Sequence, residues 1–376
     1  MNKDNQAILM IANSEVDSNI YYATKFLAPD PFIFIQYNSR KTLVMSDLEL
    51  DRAKAQAHVD AVLSYSQYEQ RLKANGAASP SILDVVEAVL KEQGVKQFLV
   101  PETFGLRHAD GLRSKGFVIT TKPDPIFEER VIKTEEEVQA ISQAQRAVEA
   151  AVEAAIEVLR EATVKKDVLY WKSGVLTSEA LKKVVNVKLM ELDCVAQHTI
   201  IAGGIHGCDP HDEGSGPLKP NETIVMDVFP RSSTSRYYAD MTRTVVKGRA
   251  SDAVKRLYDT VKEAQEGAIG KVKDGAEGRE IHQWIMDLFE KKGYHTGMKD
   301  GRMQGFFHGT GHGVGLDIHE PPRISKAPWV LKAGEVVTVE PGLYYPEIGA
   351  VRIEDMVLVT KTGCINLTKF PKVLEV

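Results

Sequence analysis

Short apolar runs separated by helical patterns fill the first 125 residues. The runs AILMI (7–11), FIFI (32–35), TLVM (42–45), AVLSY (61–65) and QFLV (97–100) predict strands, because each is brief and rich in branched or aromatic side chains. Between them the pattern becomes helical. One such helix is predicted with Ser79 as N-cap, Pro80 at the first helical position and a stop near Gly94. Strands alternating with helices predict a βα domain. The stretch KPDPIFEER, with Pro123 and Pro125, breaks the pattern and predicts a linker. Two α/β domains are therefore expected, 1–125 and 126–376, as a chain of 376 residues also suggests.

Past the break a long helix is predicted from Thr134, where Thr134 and Glu137 have the spacing of a capping box. Val138, Ile141, Val148, Val152, Ala155 and Leu159 keep an apolar stripe that needs a sheet to pack on. A coiled coil is the competing reading, but the stripe is Ala-rich and ends within about six turns, which favours a core helix. Further helices are expected at about 178–192, from a Ser251 cap, and at about 279–292. Strands are expected at 198–202, 223–229, 237–246, 335–339 and 350–359.

Chemistry concentrates in this second half. Asp227 in IVMDVFP, Asp240 in YYADMTRT, His312 in HGTGHGVGLDIHE, Glu340 in VTVEPGLYY and Glu354 in AVRIEDMV form a hard-donor set. Such a set suits Mn²⁺, Fe²⁺ or Co²⁺, and less specifically Zn²⁺. Four carboxylates are costly to bury uncompensated, and two divalent cations would cancel their charge. A dinuclear hydrolytic site, with ions roughly 3.5–4 Å apart, is the expectation. Strand parity agrees: Asp240, Thr242 and Thr244 share one face, and Arg352 and Glu354 share another, so each carboxylate has an orienting neighbour two residues away. Any one of these acids alone would read as a solvated strand face.

These segments, in this order, closely resemble the metallopeptidase family of Xaa-Pro aminopeptidase, Xaa-Pro dipeptidase (prolidase) and methionine aminopeptidase. The resemblance runs from about Ile132 to Val376 and more weakly through the N-terminal part. It implies a small creatinase-like α/β domain followed by a pita-bread catalytic domain. It also implies that Asp227 binds one metal, His312 and Glu340 the second, and that Asp240 and Glu354 bridge both. Glu340 is implied as the proton shuttle, with His211 and His319 as catalytic histidines stabilising the oxyanion. His308, Arg323, Tyr344 and Arg352 are implied as substrate-binding residues, Arg323 matching an arginine that holds a dipeptide's carboxylate. The expected reaction is hydrolysis of Xaa-Pro bonds in dipeptides or at the N-terminus of peptides, with two divalent ions, Mn²⁺ foremost, and a homodimeric assembly.

Other readings fit less well. A methionine aminopeptidase would share the ligands but lacks such an N-terminal domain. Creatinase-like relatives have lost ligands that this chain keeps, and the same holds against a non-enzymatic binding protein on this scaffold. The alternating Gly309, Gly311, Gly313 and Gly315 do not make the GxGxxG of a nucleotide site and imply close backbone approach instead. HEPPR lacks the second histidine of a zincin helix, and no GxSxG elbow is present. One departure from the family is a longer gap, twelve residues, between Asp227 and Asp240. An even insertion preserves parity across a hairpin, so Pro230 and the 232–235 run read as a lengthened loop. The pocket wall that Phe229, Arg231 and Arg236 could line is what it alters.

Composition narrows the partners. A net charge of −5 and a pI near 6.1 argue against nucleic acid or an anionic membrane. The apolar run near the start is too short for a signal peptide or a membrane span. Cys194, Cys208 and Cys364 suggest no disulfide framework, so a reducing cytoplasm is expected.

Overall fold

The computed structural model describes residues 7–376, so the first six residues of the chain's start lie outside the described residues. The chain forms two compact units, Met1–Arg130 and Val131–Val376. Among the described residues no helix is long and apolar enough to cross a membrane.

In the first unit, β1 (Ala7–Ala12), β2 (Phe32–Tyr37), β3 (Arg40–Met45), β4 (Ala61–Ser64), β5 (Gln97–Pro101) and β6 (Val118–Lys122) make one mixed sheet in the order β4-β3-β2-β1-β5-β6. Every predicted apolar run is a strand. The unpredicted β6, VITTK, is a half-exposed edge strand and carries no buried apolar run to betray it. Helix α1 (Ile82–Glu92) starts later than expected. Its cap is Ser81, which exchanges hydrogen bonds with Asp84, so Pro80 lies outside the helix. Nor is KPDPIFEER a free linker. Ile126 and Phe127, 2% and 5% exposed, pack into the first unit's core, and a short 3₁₀ turn follows at Glu128–Val131.

The second unit opens on α2 (Glu135–Glu161), whose capping box is as predicted: Glu137 N–H donates to Thr134 Oγ1 and Thr134 N–H to Glu137 Oε2. The 27-residue helix ends two residues past Leu159, and Ala144, Ala147 and Ala151 are buried between the predicted stripe positions. After α3 (Ser178–Glu191), the antiparallel sheet β7 (Ile200–Gly203), β8 (Thr223–Val228) and β9 (Met241–Val246) has β8 at its centre. Helices α4 (Asp252–Ile269) and α5 (Gly278–Lys291) follow, α4 capped by Ser251 as expected. Beyond several short two- to four-residue strands, the strands that build the rest of the site are β10 (Gly311–Gly313), β11 (Glu320–Ile324), β12 (Val336–Val339), β13 (Gly342–Tyr345), β14 (Gly349–Arg352), β15 (Asp355–Val359) and β16 (Cys364–Asn366). They form a sheet in the order β11-β10-β12-β15-β16 and a β13–β14 hairpin.

Alternation along these strands separates core from chemistry. Val337, Val339, Val351, Ile353, Val357 and Val359 join one buried cluster with Leu257, Val261, Ile285 and Phe289 of α4 and α5. The alternate positions Thr338, Arg352 and Glu354 point away from that cluster, towards the site. Two predicted strands needed correction. The strand expected at 237–246 begins only at Met241, so Asp240 sits at its mouth. The strand expected at 350–359 is two, because the chain leaves the β13–β14 hairpin at Ile353 and joins β12 from Asp355.

Candidate active site

The proposed ligands come from five places and meet at one cavity of about 580 Å³. Asp227 is held on central β8, opposite Thr242 of β9. His312 lies in the middle of β10, Glu340 directly follows β12, and Glu354 occupies the break between β14 and β15. Donor atoms of Asp240, His312 and Glu354, all buried, lie within 4.8 Å of one another. His312 Nε2 is 3.3 Å from Glu340 Oε1 and 3.7 Å from Asp240 Oδ2.

The neighbours fix each ligand's direction. Arg352 donates to Asp227 Oδ2 at 2.7 Å, to the Tyr344 hydroxyl at 2.9 Å and to Thr242 Oγ1 at 3.3 Å. Thr242 Oγ1 in turn donates to Glu354 Oε2 at 2.8 Å. Thr338 Oγ1 accepts the His312 N–H and donates to Glu340 Oε1. The reverse face of the same strands is pinned by Arg243, which donates to Asp355 Oδ1 and to the carbonyls of Thr242, Glu354, Phe370 and Pro371.

A cation suits what remains. Asp227 Oδ1, Asp240 Oδ1 and Glu354 Oε1 are buried without a hydrogen-bond partner, an arrangement that is costly unless something positive faces them. The Nδ1 of His312 faces the Gly313 carbonyl at 3.1 Å, so its proton belongs there and the Nε2 lone pair points at the Asp240 and Glu340 carboxylates. Lone pair against carboxylate is repulsive until a metal sits between. Electrostatics agree. Burial and the neighbouring acids raise the carboxyls of Asp240 and Glu354 well above the usual range, and burial pushes Glu340 up to about 7. Burial also pushes His312 down to about 3, keeping the imidazole neutral as a ligand must be.

Of the residues expected at the substrate, His211, His308, His319, Arg323 and Arg352 line the cavity. His319 stands edge-on to His312, with ring centroids 4.4 Å apart. Tyr344 requires correction: it is fully buried and does not line the cavity, its hydroxyl being spent between Arg352 and His308. His308 is also committed, Nδ1 to the Gly309 carbonyl and Nε2 to Tyr344, and burial keeps it neutral with its pKa near 3. Phe229 does line the cavity, whereas Arg231 and Arg236 do not. The lengthened segment instead turns away, Arg231–Ser232 pairing with Cys194–Val195. The alternating glycines do bring backbones together: a Cβ at Gly311 would stand 1.9 Å from the Thr338 carbonyl oxygen, and one at Gly313 2.2 Å from that of Pro321.

Sequence reasoning missed Thr338, although its place two residues before Glu340 is the spacing that marked Thr242 beside Asp240. It also missed the apolar walls from Ile200, Phe307 and Ile318, which nothing local distinguishes from core.

Comparison with known proteins agrees with this geometry. The model of metallopeptidase family M24 matches residues 139–361. The chain is 30% identical to the Xaa-Pro dipeptidase of Pyrococcus furiosus, over 93% of this chain and 91% of that protein. The crystal structure of the prolidase from Pyrococcus horikoshii superposes with a TM-score of 0.79 at 27% identity, covering 98% of this chain and 95% of that one. The Xaa-Pro dipeptidase from Bacillus anthracis shares the fold, with a TM-score of 0.83 at 24% identity over 99% and 95% of the two chains. Family membership implies a divalent metal cofactor, with which the buried Asp240–His312–Glu354 cluster is compatible. With its pita-bread fold and this acidic, histidine-bearing cavity, the chain belongs to metallopeptidase family M24 and is a peptidase.

Proposed function

We propose that this peptidase hydrolyses the bond between an N-terminal residue and a following proline, with Xaa-Pro dipeptides as substrates. Two divalent metal ions, manganese foremost, would be held by Asp227, Asp240, His312, Glu340 and Glu354. The observation that carries this reading is the trio of buried, partnerless carboxylate oxygens on Asp227, Asp240 and Glu354 at one cavity. The P. furiosus relative, named an Xaa-Pro dipeptidase, supports the substrate class.

When bound, the ions supply Lewis acidity, polarising the scissile carbonyl and making water nucleophilic near neutral pH. The protein's own groups do the rest. Glu340 takes the proton from the attacking water and returns it to the proline nitrogen, which must be protonated to leave as an amine. His319 and His211, at the cavity wall, donate N–H groups to the carbonyl oxygen as it gains charge. Arg352, Thr242 and Thr338 hold the carboxylates in direction. The Arg323 side chain is exposed at the cavity and makes no hydrogen bond or ion pair among the described residues, which leaves its guanidinium for a dipeptide's terminal carboxylate.

The test combines metal analysis with cleavage of Ala-Pro, Ala-Pro-Ala and Ala-Pro-amide. Activity should require Mn²⁺, Co²⁺ or a similar ion and vanish in Asp240→Ala and Glu354→Ala. Purified Glu354→Ala with two tightly bound metals and near-normal turnover would refute the two-ion assignment. If the amide is cleaved as well as the free acid and Arg323→Ala changes nothing, the carboxylate clamp is wrong and longer peptides are the substrates.

A further inference from the structure

Lys133 stands just inside the second unit, and Glu320 directly follows His319. Their side chains are 2% and 5% exposed, and Lys133 Nζ donates to Glu320 Oε1 at 2.6 Å. A buried ion pair of this kind contributes little net stability, since desolvating both charges offsets their attraction. It does fix position, because either charge left alone in the interior is strongly unfavourable.

What this pair fixes is the loop that delivers His319. The Asp317 N–H donates to Glu320 Oε2 at 3.4 Å. A Cβ at Gly315 would stand 2.4 Å from Glu320 Oε1, so the loop wraps the carboxylate at a distance only glycine permits. Ile318 and His319 of this loop line the cavity, and Arg323 lies on β11, which Glu320 begins. Lys133 is itself held by its N–H bond to the Gly334 carbonyl at 2.8 Å. One turn later, Glu137 caps α2 and accepts the Tyr237 hydroxyl at 2.5 Å, while Tyr238 N–H donates to the Gly315 carbonyl at 2.8 Å. The segments leading to Asp240 and to His319 are thus tied to each other and to the start of α2.

We infer that Lys133 is a positioning residue that acts through Glu320 to aim the His319 imidazole into the cavity. This rests on the reading of His319 as the group that meets the scissile carbonyl, and it goes beyond it by assigning the support to Lys133, 187 positions before Glu320 in the chain. Lys133 makes no contact with substrate in this scheme. Its removal frees the 315–319 loop and misdirects the ring while leaving the metal-ligating residues in place.

The experiment is a double-mutant cycle on Ala-Pro hydrolysis, with bound metal quantified in every variant. Lys133→Met should lower kcat about 10- to 100-fold, the effect of displacing a catalytic group by about an ångström, with metal content unchanged. In a His319→Ala background the same change should lower kcat less than about twofold, since the positioned group is gone. Lys133→Arg should recover most of the loss by keeping the charge. If Lys133→Met does not fold, Glu320→Gln takes its place, keeping shape and one acceptor oxygen. A readout independent of activity is the imidazole NMR signals of the protein loaded with diamagnetic Zn²⁺: those of His319 should move in the variant while those of His206 and His295 stay. Equal fold losses in the two backgrounds, or unmoved His319 signals, overturn the inference. A wild-type enzyme that cleaves no Xaa-Pro peptide refutes the substrate reading instead, and the His319 signals then decide the inference alone.

Discussion

Replacing Thr242 by valine isolates one hydrogen bond at the metal-ligating end of the site. Thr242 is fully buried, its Oγ1 donating to Glu354 Oε2 at 2.8 Å and accepting from Arg352 Nε at 3.3 Å. Valine keeps the branched shape, so packing is preserved and the change is electronic. A hydrogen bond to a charged carboxylate is worth about 1.5–3 kcal/mol, and the longer bond from Arg352 adds less. If that energy orients Glu354 for a cation, losing it raises the dissociation constant for Mn²⁺ by about 10- to 150-fold, at about 1.4 kcal/mol per factor of ten. Competition against a fluorescent chelator measures this directly, with circular dichroism confirming that the variant is folded. Thr244→Val is the control. Among the described residues its Oγ1 bonds only the backbone of Arg352, and affinity should change less than about threefold. Thr242→Val binding within twofold of wild type, or the two variants weakening equally, would refute the claim that Thr242 orients a ligand.

Three further outcomes are expected. In the metal-free protein the raised carboxyls of Asp240, Glu354 and Glu340, the last near 7, keep protons that the unfolded chain has released, so stability from this site falls as pH rises through 7. His312 and His308, held near 3, are neutral in the folded state, and the unfolded imidazoles shed their last charge by about pH 7.5, so they oppose this trend only below that pH. Metal replaces those protons, so calorimetry should show a metal-induced rise in Tm that grows from about pH 6.5 to about pH 8; a rise independent of pH would contradict the raised carboxyls. Gly311→Ala should cost about 3 kcal/mol or more in urea unfolding, its Cβ meeting the Thr338 carbonyl at 1.9 Å, whereas Gly309→Ala, whose Cβ meets nothing nearer than Ser325 Cβ at 3.5 Å, should cost less than about 1 kcal/mol beyond propensity. Arg352→Lys keeps the charge but cannot span Asp227, Tyr344, Thr242 and the Pro210 carbonyl together, so kcat/KM should fall at least about tenfold; a fall under twofold would reduce Arg352 to a simple counter-ion.

Much of the site was legible in the chain because each ligand carries a local signature. Asp240 sits in parity with Thr242, Glu354 with Arg352, and His312 among glycines that a close backbone contact demands. Hydrophobic period gave the strands of the first unit and the long α2, since burial on one face leaves its mark residue by residue. The misplaced boundaries have the opposite cause. Ser79 and Ser81 are both plausible caps, and only the reciprocal bond with Asp84 chooses between them. Residues 122–130 look like a linker by their prolines, yet Ile126 and Phe127 find a core that a local reading does not contain.

By itself, then, the sequence determined an α/β chain bearing four carboxylates and a histidine suited to divalent cations, because composition, period and parity are local properties. Tertiary structure decided which of the remaining polar groups face the cavity and which stand behind it. Tyr344 was expected at the substrate and is instead enclosed between Arg352 and His308, since the β13–β14 hairpin turns its hydroxyl inward. Lys133 and Glu320 read as ordinary charged residues until the fold buries them against each other. Pairing across such separations depends on how strands and helices pack, and no local pattern encodes it.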